Sequence, residues 1–297
     1  MAEAMRRTTS RRQLASNPRF EQISPEVGQL DESAVDDALR DDPDATLALL
    51  AEMTGATDRR LSDLARRLAA RLFLDLARRG PARRGGVGRL AAQPYRPDGG
   101  DLDLDASFEA IAEAEAGGAA VDVERLRIRS WTTPQTAICL VVDRSGSMGG
   151  GPLATAAIAA AAVASRNPAD YSVLAFSNDV VALKSQDAPK AAERVVTDLL
   201  VLRGHGTTDL ARALRAAADQ LARSRAARKI TVLLSDCRST VDGDVHGAAS
   251  RLSELAVIAP RSDCEEAVRF TDECGARLAL VDGPSGIVAA VTAALER

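Results

Sequence analysis

The stretch Ala137-Ile138-Cys139-Leu140-Val141-Val142-Asp143-Arg144-Ser145-Gly146-Ser147-Met148-Gly149-Gly150-Gly151 changes character twice. It opens as a continuous apolar run of strand length, bounded by polar residues. Such a run predicts a strand over Ala137–Val142 that is buried on both faces. It turns polar at Asp143 and then passes through glycines into an alanine-rich helical stretch near 152–166. Strand, polar loop and helix in immediate succession are the first half of a parallel β-α-β unit.

The same alternation continues downstream. Further strands are predicted at Tyr171–Phe176, Ile230–Leu234, Leu255–Ile258 and Arg277–Val281, with Val180–Leu183 as a short edge strand. Helical stretches fall near 190–200, 209–224, 244–252, 263–274 and 285–296. Apolar strands alternating with helices predict a doubly wound α/β domain with a mostly parallel sheet and helices on both faces. Ligands of such a sheet sit beyond the carboxyl ends of its strands.

Three segments reach that end of the sheet. Asp143, Ser145 and Ser147 follow the first strand, and Thr207-Thr208-Asp209 precedes the 209–224 helix. Ser235-Asp236 closes the Ile230–Leu234 strand. Carboxylates and hydroxyls in this combination suit a hard divalent cation, which takes oxygen ligands. The bland reading is helix capping, because Ser, Thr and Asp satisfy orphan amides at helix starts. Capping does not require all of these positions together.

In this arrangement the chain resembles the von Willebrand factor A (VWA) domain family over roughly residues 134–297. The family's metal-ion-dependent adhesion site uses a D-x-S-x-S loop, a threonine in a second loop and an aspartate after a later strand. Asp143, Ser145, Ser147, Thr208 and Asp236 match it in order. Thr208 is preferred over Thr207 because Thr208-Asp209-Leu210 followed by Ala213-Leu214 is similar to the family's threonine-to-helix stretch. The resemblance implies that Mg2+ or Mn2+ is bound, by the hydroxyls largely directly and by the aspartates often through water. It also implies an open position that takes a glutamate or aspartate of a protein partner. His205 is expected to be a loop residue and His246 a surface helix residue. Arg144, inside the loop, is expected beside the opening of the site.

Upstream, residues 1–28 are polar and Arg-rich and read as a flexible tail. Residues 29–80 read as a helical region. Leu61, Leu64, Leu68, Leu72 and Leu76 recur at helical spacing, and Gly80-Pro81 ends the helix. Asp42-Pro43 marks the start of another helix, with Leu47, Leu49 and Leu50 on its apolar side. Residues 81–120 read as a linker, Gly/Arg-rich and then acidic, with a short helix. Residues 121–297 are assigned to the α/β domain. Asp101-Leu102-Asp103-Leu104-Asp105 lacks the glycine and distal glutamate of a calcium loop.

Composition narrows the function classes. The 297 residues are 46% hydrophobic and 27% charged, enough for a globular core. Aromatics make up only 3%, so Ala, Leu and Val must fill that core. The net charge of -4 argues against a nucleic-acid partner. The longest apolar run, near Leu153–Ala164, is too short to span a membrane. Ser10-Arg11-Arg12 loosely resembles a twin-arginine export signal, but the residues that follow are polar. The four cysteines are scattered without C-x-x-C spacing, so a cytoplasmic location with reduced thiols is expected.

No G-x-S-x-G elbow and no G-x-x-x-x-G-K-[ST] loop occurs. The expected function is therefore non-enzymatic protein binding. The layout resembles bacterial magnesium-chelatase D-subunit and CoxE-like VWA proteins. That resemblance implies a MoxR-type or chelatase-type AAA+ ATPase partner and either client remodelling or metal or cofactor insertion. Three alternatives stay open: a stand-alone scaffold, a phosphatase-like enzyme that would need a second acid where Ser145 stands, and an RNA-associated VWA protein using the basic 78–89 stretch.

Overall fold

A computed structural model describes residues 8–79, 89–95, 101–118, 120–132, 135–144, 150–202, 204 and 206–296. The chain begins with five helices: α1 (Arg11–Leu14), α2 (Phe20–Ile23), α3 (Glu32–Asp41), α4 (Pro43–Met53) and α5 (Arg59–Arg79). Asp31 caps α3 by accepting from Ser33 and Ala34 N–H, and Asp42 caps α4 with Pro43 in its first turn. Next come β1 (Arg89–Pro94), β2 (Asp101–Leu102), α6 (Leu104–Gly117) and β3 (Arg127–Thr132). The remainder alternates: β4 (Thr136–Asp143), α7 (Gly150–Arg166), β5 (Tyr171–Phe176), β6 (Val180–Lys184), α8 (Ala192–Val201), α9 (Leu210–Ala222), β7 (Arg228–Leu234), α10 (Val245–Ala249), β8 (Glu254–Pro260), α11 (Glu265–Cys274), β9 (Arg277–Val281) and α12 (Ile287–Leu295).

The elements form two compact units. The smaller, residues 83–135, contains an antiparallel sheet in the order β1-β3-β2 and the helix α6. Asp103 caps α6 through Ala106 N–H, and its carboxylate pairs with Arg129 of β3 at 3.1 Å. The linker expected over 81–120 therefore contains structured elements at 89–94 and 101–117. Its glycine-rich half, 81–88, lies outside the described residues.

The larger unit joins residues 1–82 to 136–297. Its six-stranded sheet runs β6-β5-β4-β7-β8-β9, parallel except for the edge strand β6. This is the expected doubly wound α/β sheet. Alternate residues of β4 enter different cores. Ile138, Leu140 and Val142 face the side of α7, α8 and α12, while Ala137, Cys139 and Val141 face α9, α10 and α11.

The N-terminal helices form a further layer. α4 and α5 pack on α7, and α5 also packs on α8. As a result α7 is buried on every side from Leu153 to Ala164, which is why its sequence is apolar all round. Small alanines let the flanking layers approach it closely. The tail expected over 1–28 is packed into the fold over residues 8–28. Leu14, Phe20 and Ile23 are buried in the same core, and Arg11 stacks over the Phe20 ring at 5.0 Å. The helical region of 29–80 is likewise part of the sheet's core, because its leucines have α7 to cover.

Candidate metal centre

Strands β5 and β7 flank β4, and the chain winds outward from β4 in both directions. The crevice between the carboxyl ends of β4 and β7 is therefore the topological switch point of the sheet. Asp143 is the last residue of β4, and Ser235 and Asp236 immediately follow β7. Ser235 Oγ donates to Asp143 Oδ2 at 2.7 Å and accepts from Cys237 N–H at 3.0 Å. Burial pushes the Asp236 carboxyl above its usual range, and the Asp143 and Asp263 carboxylates add to the rise. Asp236 also accepts from Arg238 N–H at 3.0 Å.

Thr208 reaches the same end of the sheet from the start of α9. It is buried, whereas Thr207 is exposed. Its N–H donates to Thr240 Oγ1 at 2.7 Å, and its carbonyl accepts from Thr240 N–H at 3.0 Å and Ser239 Oγ at 3.1 Å. The segment after Asp236 thus holds Thr208 in place. Asp209 caps α9 by accepting from Arg212 N–H at 2.9 Å, so capping and placement of Thr208 are separate roles of neighbouring residues. Ser145 and Ser147 lie outside the described residues, as does His205.

A cleft of about 560 Å³ opens beside Asp143 and Asp236. Its wall includes Thr155, Ile258, Pro260, Asp263 and Asp282. Two acids there are answered by arginines, Asp263 by Arg238 and Asp282 by Arg261 at 2.9 Å. The N-terminal layer supports the far wall. Asp44 of α4 accepts from Ser285 N–H at 2.7 Å.

The donor set fits a hard divalent cation. Two carboxylates converge in a partly desolvated crevice where their charges oppose each other, and the buried Thr208 loop is tied to the same segment. Among the described residues no group of three or more His, Cys, Asp or Glu side chains is placed to hold a metal ion by itself.

A family model described as a VWA domain containing CoxE-like protein matches residues 64–296. The chain belongs to this CoxE-like VWA family. The match begins within α5 and includes the small unit as well as the sheet. Solved structures similar to this CoxE-like chain include the manganese-loaded TRAP protein of Plasmodium vivax, at 17% identity and TM-score 0.45, covering 55% of this chain and 74% of that one. A von Willebrand factor type A structure from Catenulispora acidiphila has 15% identity and TM-score 0.41, covering 56% and 43%. Proximal thread matrix protein 1 from the mussel byssus has 14% identity and TM-score 0.41, covering 55% and 47%. The chain thus spans less than half of the last two proteins. The comparison with curated proteins finds no match.

One expected placement differs in the structure. Arg144 does not stand beside the opening. It is 5% exposed, its guanidinium pairs with Asp179, and its N–H donates to Phe176 O at 2.8 Å. His246 is an exposed residue of α10, as expected, and it has partners. Its Nε2 lies 3.1 Å from Glu273 Oε2 and its Nδ1 3.4 Å from Cys274 Sγ. Sequence spacing holds no signal for either, because the partners come from other elements. No helix among the described residues is long and apolar enough to cross a membrane.

Proposed function

We propose that this CoxE-like VWA protein is a divalent-cation-dependent protein-binding module without catalytic activity of its own. Asp143, Ser145, Ser147, Thr208 and Asp236 would hold Mg2+ or Mn2+. The observation that carries this reading is the Asp143–Ser235–Asp236 junction at the switch point of the sheet, with Thr208 tied to the segment that follows it.

When bound, the cation supplies a hard Lewis-acidic seat for an aspartate or glutamate side chain of a partner protein. The chain's own residues prepare that seat. Ser235 fixes the Asp143 carboxylate, the 239–241 segment fixes Thr208, and Asp236 stands half-buried beside them. The partner class favoured by the CoxE-like family is a MoxR-type AAA+ ATPase in the cytoplasm, with client remodelling or metal or cofactor insertion as the outcome. The absence of a phosphate-binding lysine loop from this sequence fits that division of labour.

The test is affinity capture from native cytosol with the full chain as bait, in Mg2+ and in EDTA. An AAA+ ATPase recovered by the wild-type chain only in Mg2+, and lost with Asp143→Ala, supports the proposal. Identical recovery in all conditions overturns it and moves the docking surface elsewhere.

A further inference from the structure

We infer that the turn Ser177–Asp179 is a positioning clamp for the metal centre, with Asp179 as the residue that sets it. This rests on the metal-site reading above and names residues outside the D-x-S-x-S, threonine and aspartate set.

The turn follows β5 and touches the sequence neighbours of two candidate ligands on separate elements. On one side, Asp179 pairs with the guanidinium of Arg144, the residue next to Asp143. On the other, Ser177 O accepts from the N–H of Asp209, the residue next to Thr208, at 2.9 Å. Asn178 O accepts from the Arg212 guanidinium at 3.0 Å, which fixes the turn to the first turn of α9. The turn is also braced internally. Ser177 N–H donates to Asp179 O at 2.9 Å, and Ser177 Oγ donates to Asp179 Oδ1 at 3.2 Å.

These bonds complete a ring. Asp143 is joined to Ser235, the segment after Asp236 to Thr208, Asp209 to Ser177, and Asp179 back to Arg144. Four loops around the site are therefore held by contacts between neighbours. The Arg144–Asp179 contact is the ion pair of the ring. The Arg144 side chain is 6% exposed, and its Nε finds no hydrogen-bond partner among the described residues, so Asp179 answers a charge that is otherwise buried and unmet. Removing the Asp179 carboxylate frees Arg144 to move. Arg144 directly follows Asp143 at the end of β4, so loosening its side chain disturbs the placement of that candidate ligand. Outer residues that orient metal ligands typically set cation affinity by about 10–100-fold.

The test titrates the full chain with Mn2+ alone, reading free Mn2+ by electron paramagnetic resonance well below the melting temperature. The variants are Asp179→Asn, Asp179→Glu, Arg144→Gln and the Arg144→Gln/Asp179→Asn double. The clamp predicts that Asp179→Asn and Arg144→Gln each weaken Mn2+ binding by about tenfold or more. Asp179→Glu should stay within about twofold of wild type, and the double should be no more than about twofold weaker than either single, because the two residues act as one unit. Equal Mn2+ affinity in wild type and Asp179→Asn overturns the clamp, even if the melting temperature falls. Losses that multiply in the double variant also overturn it. Failure of the wild-type chain to bind Mn2+ instead overturns the metal centre itself.

Discussion

Ser235 Oγ lies 2.7 Å from Asp143 Oδ2 and joins the carboxyl ends of two neighbouring parallel strands. The same hydroxyl accepts the N–H of Cys237, which has a positive φ of 64° that disfavours a side chain. Ser235→Ala therefore removes one hydrogen bond from the Asp143 carboxylate and takes the side-chain acceptor from the buried Cys237 N–H. The expected cost is about 1–3 kcal/mol, as for hydrogen bonds involving a charged group. Urea denaturation of the variant beside wild type measures it directly.

Cation binding should stabilise the native state by mass action. At a hundredfold excess over the dissociation constant the gain is about 2.7 kcal/mol. The melting temperature of the wild-type chain should rise on adding Mg2+ and return on adding EDTA. Asp143→Ala should show neither change while keeping its far-ultraviolet circular dichroism.

The N-terminal layer should be indispensable to the fold. Phe73 of α5 is fully buried, and Phe73→Ala is expected to cost about 3–5 kcal/mol. A chain starting at residue 135 would expose the outer face of α7, with its unbroken alanines and Ile158. Size-exclusion chromatography with light scattering should find that fragment aggregated rather than monomeric.

Glu254 links three elements at the opposite end of the sheet. It pairs bidentately with Arg228 at 2.6 and 2.7 Å and accepts from Arg277 at 3.0 Å, while Arg228 also donates to Leu295 O at 2.8 Å. The carboxylate is about one-third exposed, so solvent screens part of the interaction. Glu254→Ala should cost about 2 kcal/mol, below the cost of breaking a fully buried pair. Differential scanning calorimetry should show the lower melting temperature without any loss of Mn2+ binding.

The thiols should differ sharply in reactivity. Burial pushes the Cys139 thiol up to about 12 and raises Cys237 as well. Partial burial and the Glu273 carboxylate raise Cys274. Iodoacetamide on the native chain should label Cys264 first and Cys274 more slowly. Cys139 and Cys237 should be labelled only after unfolding, as peptide mapping by mass spectrometry would record.

Local pattern was enough for the α/β half of the molecule. A short, β-branched apolar run such as Ala137–Val142, bounded by polar residues, reads as a strand with both faces covered, and the structure extends it by one residue at each end to Thr136–Asp143. Asp42-Pro43 likewise announced the start of α4, because capping and a fixed φ act within a single turn. The identity of the oxygen-bearing residues at the strand ends was legible for the same reason. What the sequence could not reveal was what its faces meet. The leucines of α5 and the alanines of α7 read as two separate apolar surfaces, and only tertiary packing makes each the cover of the other. The acidic stretch from Asp101 to Asp105 read as linker until pairing with β3 ordered it. Arg144 read as a residue beside the opening, and its guanidinium is buried because Asp179, in the turn after β5, supplies the opposite charge. Short-range rules act between residues a few positions apart and leave their mark in sequence spacing. Burial, charge pairing and loop bracing act between residues that only the folded chain brings together.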